Sequence, residues 1–381
     1  MSEYQYYEFL TVDKPLNEKD MATLSNISTR AHITNTSFVN VYNYGDFKGN
    51  PKKLVEKYFD AFLYVANWGT RWLMLKVPRK VIDVDLAAQY CIGESAVIHE
   101  KGDHLIFEFT SETEDYEWEE GEGWLSSLIS LRSDMIGGDY RSLYLAWLYG
   151  ARMEEMETDE LEPPVPTNLG DLNGPLNRFV DFMRIDPDLI AVAAENSVSE
   201  NRQTDPKALK TWIHNLPESE KDDILLRVIE EPSPHLGTQL MQRFKHTLSD
   251  KDAASSARER RTVEHLLTAS ETYAADRKRK IAAKKAKDRE RKKRAEIIVR
   301  DKYLDSLVGR EKEIWIQIEN LIDTRQPAKY DEAVKLLVDL RDLNKKRNKD
   351  EIFREKLIII RQNNDRKPSL LDRMRKAGLG V

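Results

Sequence analysis

One stretch constrains this chain more than any other: RKRKIAAKKAKDRERKKR, Arg277–Arg294. Twelve of its eighteen residues are Lys or Arg, and only Asp288 and Glu290 oppose them. Its Ala, Lys, Arg and Glu all favour helix. Proline is absent from 235 to 326 and glycine from 238 to 308, so one helical pattern is expected from about Ser249 past Leu307, with Gly309 ending or kinking it. Val263, Leu266, Leu267, Tyr273 and Ala274 give an apolar stripe before the basic stretch. Ile297, Ile298, Leu304, Leu307 and Val308 restore one after it. Between Ala282 and Ala295 only alanines interrupt the polar residues, which leaves no seam wide enough for a packed partner. The sequence therefore predicts a long helix that is largely unpacked at its centre.

Pairs at i and i+4, namely Asp288–Lys292, Glu290–Arg294 and Asp288–Lys284, relieve only part of the repulsion. Three readings follow: a solvated spacer, a helix that lies along nucleic-acid phosphates, or a helix that meets an acidic protein surface. That surface could be the chain's own ETEDYEWEEGEGW segment or another subunit. The candidate anion-binding residues are Arg277, Lys278, Arg279, Lys280, Lys284, Lys285, Lys287, Arg289, Arg291, Lys292, Lys293 and Arg294. No aromatic residue is interleaved with them, so phosphate contact without sequence readout is expected. Membrane attachment is not, because the helix sets only alanines beside its cations. Net charge divides the chain the same way. Residues 1–250 hold 24 Lys and Arg against 43 Asp and Glu, and residues 251–381 hold 36 against 23. Such a split implies surfaces with different electrostatic partners.

A length of 381 residues suggests two or three domains. With 40% hydrophobic residues the chain can build real cores. Its single cysteine, Cys91, rules out an internal disulfide and a cysteine zinc site. The opening MSEYQYYEFL lacks the pattern of a secretory leader, and no apolar run approaches a membrane span, so a cytoplasmic protein is expected.

The first region alternates strand and helix signals. Tyr6–Val12, the AHITNTSFVNVY segment and Arg71–Val77 read as strands, and AVIHEKGDHLIFEF as a hairpin turning at Gly102. Asn50 and Pro51 start a helix predicted to run to about Asn67. Two apolar helices, Trp124–Met135 and Asp139–Tyr149, follow an acidic loop. The hairpin favours an α+β domain over a doubly wound parallel sheet. The expected order is an α+β domain at 1–155, an acidic, proline-rich linker at 156–174 and a small helical domain at 175–248. The long basic helix follows at 249–308, and a C-terminal helical bundle with a basic tail at 309–381.

The segments YYEFLTVDKPL, TSFVNVYNYGDFKGNP, RIDPDLIAVAAENS and KPSLLDRM resemble an uncharacterised bacterial protein family. The resemblance implies a bacterial cytoplasmic protein with this domain order, and it brings no activity or site residue with it.

Catalytic signatures are missing: no phosphate loop, no His-Glu-x-x-His, no paired cysteines and no Gly-x-Ser-x-Gly. Asp46, Lys48 and Asn50, at a helix start, form a candidate small-anion site, although capping alone accounts for Asn50. His99 and His104 flank the hairpin turn, but a metal site usually needs a third ligand. Asp134 and Asp139 read more simply as helix ends than as an acid–base pair. Tyr58, Phe62, Trp68 and Trp72 read as core rather than a stacking platform. No cofactor or metal is expected. The sequence points to a non-enzymatic binding or scaffold protein that joins a protein partner to nucleic acid, or to a spacer between proteins. The competing class is an enzyme with a site near Asp46, Lys48 and His99.

Overall fold

The computed structural model describes residues 3–114, 119–199, 206–230, 236–237, 239–241, 243–244, 247 and 260–380. The chain forms two compact units, Met1–Arg277 and Lys278–Val381. An antiparallel sheet with helices comes first, then a long helix and a helical C-terminal region, so the α+β then all-α reading holds.

In the first unit seven strands make one sheet in the order β2-β3-β1-β4-β5-β7-β6. They are β1 (Gln5–Leu10), β2 (His32–Ile33), β3 (Ser37–Tyr42), β4 (Ala61–Ala66), β5 (Arg71–Pro78), β6 (Ala96–Lys101) and β7 (His104–Ser111), and every pair is antiparallel. Successive side chains point to opposite faces, and this sheet buries both. Phe9, Phe38, Phe62 and Met74 fill one face with Leu24, Leu54 and Val55 of helices Glu18–Ser25 and Pro51–Lys57. Leu63, Val65, Leu73, Phe107 and Phe109 fill the other, against Leu125, Leu131, Leu143 and Trp147.

Double coverage explains a correction. The helix expected from Lys52 to Asn67 ends at Lys57, and Ala61–Ala66 is a central strand with all six residues buried. A strand buried on both faces reads as a continuous apolar run, and Leu54, Tyr58, Phe62 and Val65 meet helical spacing by coincidence. Trp124–Met135 is likewise two short helices, Trp124–Leu128 and Ser130–Ile136, and the next helix spans Arg141–Arg152. His99 and His104 do not face each other: His99 pairs with Ile106 and His104 with Lys101.

The segment 156–174 is tied to this core. Glu162 is 2% exposed, and its carboxylate takes two hydrogen bonds from Arg261, both 2.8 Å, and one from the Tyr144 hydroxyl. Beyond it, Phe179, Phe182 and Leu189 of helices Gly174–Met183 and Pro187–Ala194 join the same hydrophobic core. A short bridge, Leu161 to Thr262, runs beside them. Further helices span Pro206–Asn215 and Glu218–Glu230.

In the second unit, helices Glu311–Asp323, Pro327–Lys346, Asp350–Asn363 and Pro368–Lys376 share a core with the end of the long helix. Trp315, Ile318, Leu337, Leu340 and Phe353 form its centre. The basic tail docks here: Leu370, Met374 and Leu379 are each at most 2% exposed. Among the described residues no helix is long and apolar enough to cross a membrane.

Candidate nucleic-acid interface

The long helix spans Val263–Ser306, 44 residues. The expected start near Ser249 lies partly outside the described residues, and Arg260–Thr262 are not helical. Thr262 closes the first turn, where its hydroxyl accepts from the His265 amide at 3.2 Å. Past the end, Gly309 adopts φ +84°, a left-handed conformation that glycine reaches without strain. Val263 and Leu266 are buried in the first unit's core, and Leu304 and Leu307 in the second unit's. Between them, every residue from Ala275 to Val299 is exposed. The central segment is helical and unpacked because it lacks an apolar stripe.

Arginines at both ends of this exposed run are held by carboxylates. Arg277 grips Asp188 with two bonds, Nε to Oδ1 at 2.6 Å and Nη2 to Oδ2 at 2.8 Å. The Asp188 hydrogen bond raises the arginine's pKa still further. Arg300 reaches Asp339 at 2.5 Å and Asp342 at 2.8 Å, and Tyr303 donates to Asp339 at 2.9 Å. Within the run, Arg294 pairs with Glu290 at 2.5 Å. The expected pairs of Asp288 with Lys284 and Lys292 are not formed. Ten of the twelve candidate cations, Lys278 through Lys293, therefore have no ion-pair partner among the described residues. Arg277 is committed to Asp188 and is not free to bind an anion. Sequence spacing could not reveal that partner, 89 residues away and readable only as part of a helix start.

The other candidates are not brought together. Asn50 accepts from the Lys53 amide at 3.1 Å and caps a helix of seven residues. Asp46 takes a 3.5 Å bond from Gln5, and no hydrogen bond joins Asp46, Lys48 and Asn50 among the described residues. His99 lies 2.5 Å from a Glu108 oxygen that also receives Lys52 at 2.8 Å, so both side chains converge on one carboxylate. Asp139 is clamped by Arg141 at 2.7 Å. Phe62 packs edge-on against Trp72, with ring centres 5.0 Å apart, inside the sheet core. Among the described residues no three His, Cys, Asp or Glu side chains are grouped to hold a metal. Two surface hollows stand out, one around Glu220, Leu236 and Arg243 and one around Val299, Tyr303 and Lys335. Neither involves Asp46, Lys48 or His99.

Comparison with known proteins gives no match to any protein-family model, to any curated protein or to any solved structure.

Proposed function

We propose that this protein is a non-enzymatic binding protein whose basic helix engages the phosphates of nucleic acid without reading sequence, while the folded units carry contacts to protein partners. The observation that carries the reading is the set of ten cations with no ion-pair partner among the described residues, on a fully exposed helical segment. Displacing condensed counterions from a polyanion drives such association. A spacer helix gains stability when its charges are matched at i and i+4, and this one matches only a single pair within the segment.

The test replaces Lys284, Lys285, Lys287, Arg291, Lys292 and Lys293 with Gln, a good helix former. The reading expects the native chain to co-purify with nucleic acid from its own cells and to lose it after nuclease treatment. The sixfold variant should not co-purify with nucleic acid, at unchanged helicity. Capture of the same protein partners with no nucleic acid present would leave the spacer reading in its place.

A further inference from the structure

The ten cations without an ion-pair partner among the described residues are not spread evenly round the helix. At about 100° per residue, Lys278, Lys285, Arg289, Lys292 and Lys293 fall within an arc of about 100°. Lys280, Lys284, Lys287 and Arg291 fall within about 60° on the opposite side. Arg279 lies alone between the two arcs. That side also carries Ala283, Ala286 and Glu290, whose carboxylate is paired with Arg294, while Ala282 falls inside the first arc, between Arg289 and Lys293. The helix thus presents two opposed cationic flanks, separated on one side by Ala283, Ala286, Arg279 and Glu290 and on the other by Ile281 and Asp288, all exposed.

This pattern matches one kind of polyanion better than others. A helix about 10–12 Å across fits the B-DNA major groove, about 12 Å wide, whose two walls are phosphate backbones. In that position each flank faces one wall, and the side that carries Ala283 and Ala286 faces the groove floor, with the Glu290 carboxylate held by Arg294. The stretch from Lys278 to Lys293 rises about 22 Å, enough for six to seven base pairs. Along a single strand or on an acidic protein face, only one flank could be engaged. The major groove of A-form RNA is too deep and narrow to admit the helix.

We propose that the basic segment seats in the major groove of duplex DNA, with its two cationic flanks on opposite phosphate walls. The proposal rests on the nucleic-acid reading above and narrows it to one form of the polymer.

The full-length protein would be titrated by fluorescence anisotropy with a 16-base-pair DNA duplex, the same sequence as duplex RNA, one DNA strand alone, and polyglutamate. Duplex DNA should bind at least about tenfold tighter than duplex RNA. Replacing Lys278, Lys285, Arg289 and Lys292 with Gln should remove about half of a salt slope near −5, and replacing Lys280, Lys284, Lys287 and Arg291 should remove the other half. Ala283→Leu with Ala286→Leu keeps charge and helix propensity but thickens the side that faces the groove floor. It should weaken duplex DNA binding about tenfold and leave single-strand binding unchanged. Circular dichroism would confirm that each variant keeps its helix. Equal binding of DNA and RNA duplexes, or a slope that one flank alone accounts for, would overturn the groove geometry and leave general phosphate binding standing. Binding of polyglutamate alone, or no binding to any probe, would overturn both.

Discussion

At the scale of single residues, the first unit is tied together by buried ions that satisfy one another. Asp60 accepts the Val12 and Asp13 amides at 2.7 and 2.9 Å and lies 3.2 Å from Lys76, whose ammonium also donates to the Val55 carbonyl. Burial pushes the Asp60 pKa up, but the two amides and the charges of Lys76 and Arg132 outweigh it, and the net shift is downward. A carboxylate depressed in the folded state adds stability that is complete above its ordinary pKa, near 3.9, and is lost as pH falls through the folded value. Asp60→Asn should therefore lower the unfolding midpoint at pH 7 and flatten the decline of stability below about pH 4. Thermal melts from pH 7 to 2 would check this, and parallel acid limbs for native and variant would contradict it. None of this was legible in the sequence, where Asp60 falls inside the helix expected from Lys52 to Asn67 and shows no link to Lys76 or to Val12.

At the scale of elements, the long helix was the most legible part of the chain, because a proline- and glycine-free run with no apolar stripe has few alternatives. The same reasoning failed at Ala61–Ala66, where periodicity cannot separate a doubly buried strand from a helix. It also missed how the helix begins. Arg261 and Glu162 are nearly inaccessible to solvent, and Tyr144 donates to the same carboxylate. Burial, and the Glu162 charge after it, hold the Tyr144 hydroxyl well above its ordinary pKa, so it stays a donor. Acid- and proline-rich composition points to a linker, but a buried carboxylate that takes three hydrogen bonds, from Arg261 and Tyr144, fixes the segment in place. Glu162→Ala leaves Arg261 buried without its ion partner and should destabilise the first unit by about 3–5 kcal/mol. Hydrogen exchange should then quicken over Val263–Ser270. Unchanged protection there would show that burial of Val263 and Leu266 suffices on its own.

At the scale of the whole molecule, each unit has its own core, and the division falls within the long helix rather than near the prolines. A fragment of residues 1–158 lacks Phe179, Phe182, Leu189 and Leu266, which pack on one face of the sheet. It should be insoluble or molten, whereas residues 1–277 should unfold cooperatively. A well-dispersed amide spectrum from the shorter fragment would refute that division. The charge asymmetry, plain in the sequence, acquires a location: anchored arginines bracket a run of cations that have no ion-pair partner among the described residues. The affinity of the intact protein for a short DNA duplex, followed from about 50 to 200 mM salt, tests this most directly. If six of the ten cations meet phosphates, log affinity should fall against log salt with a slope near −5, about a thousandfold over that range. A slope near zero, or no binding at the lowest salt, would contradict the account.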